Sequence, residues 1–199
     1  MNVPISPRPV DVRSQSRYVQ QTSGGDTSTD EGTVLEQGFI PDTGNARAFR
    51  DALGQFATGV TLVTIASENG PMGFVANSFS GLSLDPPLIL WSPARSSSRF
   101  AHFATAAHFS VHILRDDAKD WIARFGRHGA GFDGLQHLVT PEGNPVLDGA
   151  LARFDCALHD THDGGDHLIV VGRVLRCHSS RGAPLVFSQG SYGSFHQQS

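Results

Sequence analysis

Apolar residues are unevenly spread along this chain. They are sparse up to about residue 41 and then recur in short blocks to the end. Phe49, Ala52, Leu53 and Phe56 fall at helical spacing, with Arg47, Arg50 and Asp51 on the other side. That pattern predicts an amphipathic helix. Asp42 or Asn45 stands where it can cap the start, and Gly59 where a left-handed C-cap belongs. Val60 to Ala66 is β-branched and apolar, which predicts a buried strand. Asn69-Gly70 signals a tight turn, and Met72 to Asn77 is the returning strand of a hairpin. Asp85-Pro86-Pro87 interrupts, and Leu88 to Trp91 reads as a short buried strand.

Ser96-Ser97-Ser98 precedes a short helix with Phe100, Phe103 and Ala104 on one side. His108 to Leu114 alternates as a strand does. Asp116 or Asp117 is placed to cap a helix carrying Ala118, Trp121, Ile122 and Phe125. A glycine-rich loop follows. Leu151 to Leu158 and Leu168 to Leu175 read as two long strands joined by a polar turn from His159 to His167. Pro184 to Phe187 gives a last strand, and Gly190 to Phe195 a terminal turn. The reading yields about six or seven strands with two or three helices inserted singly. Strands and helices do not alternate regularly, so a doubly wound parallel sheet is disfavoured. The pattern predicts a mainly antiparallel β-barrel with inserted helices.

Composition narrows the class. The chain has 199 residues, with 15 Lys plus Arg, 19 Asp plus Glu and a formal net charge of -4. No cationic face is available for a phosphate backbone, so a nucleic-acid binder is disfavoured. No apolar run approaches the ~20 residues of a membrane span, and no secretory signal is visible at the start. Cys156 and Cys177 are too few for a disulfide scaffold and read as reduced thiols in a cytoplasmic protein. Residues 1–41 hold three early prolines and a polar tract, Gln20 to Gly32, and read as a disordered or loosely docked arm. Val34, Leu35, Phe39 and Ile40 are its candidate anchors. Residues 42–199 form the folded domain. Its roughly 155 residues are enough for one core, burying on the order of 70% of their unfolded surface.

Four segments carry candidate chemistry. Gly129-Ala130-Gly131-Phe132-Asp133-Gly134 matches the dinucleotide pattern G-x-G-x-x-G letter by letter. It follows a helix instead of a strand, so it reads as a loop. His159, His162 and His167 lie among Asp160, Asp163 and Asp166, a metal-like composition without metal-ligand spacing. A polar turn is the simpler reading and no metal is assigned. Only His167, directly before an apolar run, keeps a functional role. Ser96-Ser97-Ser98 at a helix start, flanked by Arg95 and Arg99, suits an anion, although one serine alone would serve as a cap. Asn77 and Ser78 at a strand end offer polar edges beside apolar walls, a mix that suits a flat heteroaromatic ring.

At this point the sequence resembles a known family. Phe49-Arg50-Asp51-Ala52-Leu53-Gly54-Gln55-Phe56-Ala57-Thr58-Gly59-Val60-Thr61 is similar to the opening of the flavin reductases, the small components of two-component flavin-dependent monooxygenases. Ala76-Asn77-Ser78-Phe79-Ser80, continuing to Ser83-Leu84-Asp85-Pro86-Pro87-Leu88, resembles their T-A-N-S-F…S-L-x-P-P-L run. Gly164-Gly165-Asp166-His167 with Val171-Gly172-Arg173-Val174 resembles their G-D-H…V-G-x-V hairpin. Pro184-Leu185-Val186-Phe187…Gly190-Ser191-Tyr192 resembles their P-L-x-F…G-x-Y ending. The blocks stand in the family's order.

The resemblance implies an FMN-binding split β-barrel of antiparallel Greek-key type, forming a homodimer with flavin near the subunit interface. It implies hydride transfer from NADH or NADPH to FMN or FAD, with reduced flavin passed to an oxygenase component. Carried over, Ala76, Asn77 and Ser78 edge the flavin ring, with Ser83 and Leu84 beside them and Phe74 and Val75 on the same strand. Val75 stands where the family often has Thr. Ser97 and Ser98 take the flavin phosphate. Arg99 replaces a common Thr, and either strengthens phosphate binding or points to solvent. His167 sits at the flavin–nicotinamide face and Tyr192 closes the pocket. Two other readings are open: a non-enzymatic flavin- or haem-binding module on the same barrel, and an oxidase of the pyridoxamine-phosphate type. The latter lacks a basic cluster beyond Arg95 and Arg99.

Overall fold

The computed structural model describes residues 38–126 and 131–195. The expected N-terminal arm, apart from its last residues, and the Gly129-Ala130 half of the glycine motif lie outside them. The chain runs α1 (Ala46–Leu53), β1 (Thr58–Gly59), β2 (Thr61–Ser67), β3 (Gly70–Ala76), β4 (Ser80–Leu84) and β5 (Pro87–Trp91). It continues through α2 (Phe100–Ala104), β6 (His108–Ile113), α3 (Lys119–Phe125), β7 (Leu138–Val139) and β8 (Pro145–Val146). It ends with β9 (Ala152–Gly164), β10 (His167–Ser179), β11 (Leu185–Ser188) and β12 (Ser191–Ser194).

All pairings are antiparallel. A seven-stranded sheet has the order β3-β2-β6-β9-β10-β5-β4, beside a three-stranded sheet β1-β11-β12 and a two-stranded ribbon β7-β8. Local hairpins (β2-β3, β4-β5, β9-β10) are joined by long-range pairs (β5-β10, β6-β9), as a Greek-key connection requires. The sheet edges β3 and β4 follow each other in the chain without pairing, so the barrel is split there.

Strand β2 explains the continuous apolar run that predicted it. Val63 and Ile65 enter one core with Trp91, Phe103, Phe109, Val111 and Val170. Val60 and Leu62 face a second core with Leu114, Phe125, Leu147 and Leu185. A strand buried on both faces loses its alternation. The β2–β3 turn needs Gly70, at φ +99, where a side chain would be strained. Gly73 allows a different economy. A Cβ there would collide with the Phe125 ring, so its absence lets α3 pack directly onto β3.

Several expectations are corrected. Helix α1 ends at Gly54, whose N–H bonds Arg50 O, so Phe56 lies beyond it and Gly59 belongs to β1. The competing interaction is tertiary: Gln189 N–H donates to Gly54 O at 2.9 Å, drawing this turn toward β11 and β12. Asn45 sits at the N-cap position, but its Oδ1 accepts from Asp42 N–H and makes no cap hydrogen bond. Ala118, not Asp116 or Asp117, is the N-cap of α3, because Asp117 is engaged by Arg115 at 3.2 Å. The segment from Ser80 to Leu84, read only as a ligand edge, is strand β4. His159 to Gly164 is not a turn. It continues β9, and only Gly165 and Asp166 separate it from β10. Gly190 to Phe195 contains strand β12 in place of a simple turn.

Candidate active site

Two cavities share Val75 in their lining. The larger, about 520 Å³, is lined by Phe74 and Val75 of β3, by Ala94 and Ser96 to Arg99 before α2, and by Phe125 and Gly126 at the end of α3. The smaller, about 190 Å³, is lined by Val60, Val75, Ala76, Asn77, Phe187 and Tyr192. The end of β3 thus carries one wall of each. The expected residues Phe74, Val75, Ala76, Asn77, Ser97, Ser98, Arg99 and Tyr192 all reach these cavities.

Four others, Ser78, Ser83, Leu84 and His167, do not line them. Ser78 Oγ accepts from Ser92 N–H at 2.9 Å and donates to Ser92 O at 3.2 Å, so it pins the loop after β3 to the end of β5. Ser83 and Leu84 lie on β4, away from both cavities, and Leu84 is 98% exposed.

The serine segment is held from two sides. Ser97 Oγ accepts from Arg99 N–H at 3.2 Å, a local turn, whereas Arg99 is the N-cap of α2 and no side chain caps the helix, so the expected serine cap is not formed. Helix α2 has only five residues, which leaves its dipole little weight. The positive charge comes from the arginines, and they behave differently. Arg95 Nε donates to Gly165 O at 3.0 Å and Nη2 donates to Asp163 Oδ1 at 2.7 Å, so its charge is paired. Arg99 does not point to solvent. Its Nη1 donates to Gly73 O at 2.6 Å and Phe125 O at 2.9 Å, and its Nη2 to Gly126 O at 2.8 Å. The guanidinium carbon stands 5.6 Å from the centre of the Phe74 ring. Partial burial lowers its pKa from the usual arginine range.

His167 reaches the rim through the backbone. It forms an isolated antiparallel bridge with Ala94, a lining residue of the larger cavity. Leu168 N–H donates to Pro93 O at 3.1 Å and Arg95 N–H to Asp166 O at 2.9 Å, zipping residues 93–95 along the start of β10. His167 Nδ1 lies 2.7 Å from Asp166 Oδ1. That bond holds the Asp166 carboxyl below the usual carboxylate range. It also assigns the proton to Nδ1 and leaves Nε2 as the acceptor of the neutral ring. His159 and His162 stay on β9, and among the described residues no group of three His, Cys, Asp or Glu side chains is placed to hold a metal. Residues Gly131 and Gly134 lie in turns at φ +61 and +66, with no helix after them to receive a pyrophosphate.

Val60, Ala94, Phe125, Gly126 and Phe187 line the cavities without being expected there from sequence. Phe125 was visible only as one member of a helical apolar stripe. Its position over Gly73 depends on how α3 returns to β3.

The cavity tests well against a flat ring bearing an anion. It has apolar surface from Phe74 and Val75, hydroxyls from three serines and a cation without a paired carboxylate. Comparisons with known proteins point the same way. Residues 53–196 match the flavin reductase like domain family. An Agrobacterium fabrum protein named FMN reductase (NADH) SmoA is 51% identical over 163 residues, covering 82% of this chain and 94% of the relative. The reductase subunit HsaB of a flavin-dependent monooxygenase from Rhodococcus jostii is 40% identical over 166 residues, covering 82% and 83%. A solved Streptomyces globisporus NADH:FAD oxidoreductase, in complex with NAD and FAD fragments, superposes with a TM-score of 0.73. It is 30% identical and covers 80% of this chain and 98% of that one.

Proposed function

The chain belongs to the flavin reductase like domain family, and from that premise we propose that it transfers hydride from a reduced nicotinamide nucleotide to flavin and supplies the reduced flavin to a partner monooxygenase. The observation that carries this reading is the larger cavity, whose apolar, hydroxyl and cationic surfaces meet beside the His167 rim. Bound flavin supplies the ring that accepts the hydride. The protein supplies binding and orientation. Phe74 and Val75 keep water from one face. Ser97, Ser98 and Arg99 hold an anionic tail. Ala76 and Asn77 offer backbone and amide contacts at the ring edge, with Tyr192 across the smaller cavity. His167, its Nδ1 proton held by Asp166, presents Nε2 where the nicotinamide stacks. No nucleophile is required. An open, hydroxyl-rich cavity suits a ligand that must leave.

FMN with NADH is the pair to test first, because the relative of 51% identity carries those names. FAD is the second flavin, because the Streptomyces neighbour is named an NADH:FAD oxidoreductase. We take residues 42–199 as the reductase domain and 1–41 as an appended arm, and place the protein in the cytoplasm as a homodimer. Exposed apolar side chains support the dimer: Leu53 is 60% exposed, Phe56 77% and Leu84 98%.

A steady-state assay crossing FMN and FAD with NADH and NADPH tests the reading. Flavin-dependent oxidation of a nicotinamide is expected. A tightly held flavin or haem with no turnover for any pair would instead establish the non-enzymatic module.

A further inference from the structure

Of residues 94 to 99, Arg95 alone is absent from the lining of the larger cavity, yet it holds that segment from outside at both ends. Its guanidinium carbon stands 5.5 Å from the centre of the Phe100 ring, at the start of α2 just beyond the serines. From there the side chain reaches the tip of the β9–β10 hairpin. Its Nε donates to Gly165 O at 3.0 Å and its Nη2 to Asp163 Oδ1 at 2.7 Å. The Arg95 backbone N–H donates to Asp166 O at 2.9 Å. The serines therefore lie in a bracket. The Arg95 backbone ties one end of it to the hairpin, and the Arg95 side chain, through Phe100, ties the other. Between these anchors Ser97 N–H donates to Ala94 O at 3.1 Å and Phe100 N–H to Ser97 O at 3.0 Å, two tight turns with little slack.

The gripped tip is what places His167. Gly165 and Asp166 are the two residues between β9 and β10, and Gly165 has φ +74, so the turn is tight. His167 follows at once, with Nδ1 2.7 Å from Asp166 Oδ1 and its backbone bridged to Ala94. A shift of the serine segment passes through the guanidinium to the residues that orient this ring. Contacts of this kind form a contiguous physical path, and coupling along it is reciprocal. Resting on the flavin reductase reading, we propose that Arg95 is a positioning residue that couples the two ligands: flavin at the serine segment raises the affinity for the nicotinamide nucleotide at His167, and the nucleotide raises that for flavin. Arg95 lines neither cavity, so it acts through the segment and the hairpin that it joins. Its pair with Asp163 is exposed to solvent and adds little stability, which leaves positioning as its contribution.

The test is equilibrium binding of FMN to the full chain and its R95Q variant, followed by flavin fluorescence, with and without NAD+. The oxidised nucleotide reports binding without hydride transfer. In wild type, saturating NAD+ is expected to tighten the FMN Kd by roughly threefold to tenfold, toward the low end of the coupling usual between sites. In R95Q the FMN Kd without NAD+ should stay within about threefold of wild type, because the lost contacts are solvent-exposed. NAD+ should then no longer change it. An FMN Kd indifferent to NAD+ in wild type overturns the proposal, as does an NAD+ effect that survives undiminished in R95Q. Should R95Q fail to fold or to bind FMN, D163N decides, since it breaks the pair at its more exposed end: the NAD+ effect must shrink, and an unchanged effect overturns the proposal. NADH oxidation by the wild type with FMN reports separately on the reductase reading. No turnover with the coupling intact defeats that reading alone, and turnover without coupling defeats only the role of Arg95.

Discussion

Arg95 Nη2 lies 2.7 Å from Asp163 Oδ1, joining the serine segment that lines the larger cavity to the tip of the β9–β10 hairpin, where β10 opens at His167. The same guanidinium donates to Gly165 O, and the Arg95 backbone donates to Asp166 O. The serine segment and the start of β10 are therefore tied together. The Arg95 side chain is 41% exposed and that of Asp163 80%, so the pair contributes less than about 1 kcal/mol to global stability. Its effect should appear in positioning. In R95Q, the KM for NADH is expected to rise by roughly threefold to tenfold with the melting temperature nearly unchanged. An unaltered KM would show that the backbone zipper alone holds the turn.

His167→Ala removes the ring but not the bridge to Ala94, which is made by backbone. Flavin affinity should persist, while kcat/KM for NADH falls by roughly tenfold to a hundredfold. Parallel flavin titration and NADH kinetics separate the two. Unchanged NADH kinetics would take His167 out of the site.

The buried His112 predicts a pH-dependent stability. Its Nδ1 bonds Leu62 O at 3.0 Å and its Nε2 accepts from Leu147 N–H at 3.2 Å, so the neutral ring is required. Burial lowers its pKa to about 4; the bond to Leu62 opposes this, Arg153 adds to it and Asp155 opposes it. The unfolded ring, near its usual value of about 6.5, binds a proton that the folded ring refuses. Stability is thus fully present above about pH 6.5 and declines as pH falls toward 4, by about 3 kcal/mol over the window. Urea unfolding between pH 7 and 4.5 measures the slope. A leucine at this position should flatten it at a cost in stability, since Leu62 O and Leu147 N–H lose their partner.

Gly73→Ala should destabilise by about 1–3 kcal/mol, because the added methyl meets the Phe125 ring in a packed core. Phe125 and Gly126 line the larger cavity, so weaker flavin binding should accompany the loss. Chemical unfolding together with FMN titration checks both. A stable variant that binds FMN normally would show that α3 can shift without reshaping the site.

Leu84→Lys is expected to shift the protein toward monomer in sedimentation, if β4 lies at the interface of the proposed dimer. Leu84 is 98% exposed and contacts neither cavity wall, so a monomer retaining its fold isolates the contact. A dimer that survives this change, and survives Phe56→Lys as well, would place the interface elsewhere.

The predicted elements that held were those with their own local reason. The apolar run from Val60 and the short run ending at Trp91 are strands because both bury large side chains. Asn69-Gly70 is a turn because Gly70 takes a positive φ. The missed strands lacked such a signal. Strand β4 is mostly exposed, and the outer half of β9, His159 to Gly164, is polar. Both exist because a neighbouring strand offers its hydrogen bonds, which a polar sequence can accept as well as an apolar one.

The site divides along the same line. Sequence alone determined the residue types at hand: an apolar and hydroxyl-bearing stretch from Phe74 to Ser78, serines between two arginines, and a histidine before an apolar strand. It determined the family resemblance through blocks whose order survives in the chain. Only the tertiary structure decided which of those residues meet. Ser78 is turned to Ser92, while Val75 comes to line two cavities. Arg95 and Arg99 are four positions apart and chemically alike, yet one finds a carboxylate and the other three carbonyls. A side chain's partners across a sheet come from strands tens of residues away, as with Thr64 Oγ1 and Pro145 O at 2.6 Å. Local sequence carries no record of that distance being closed.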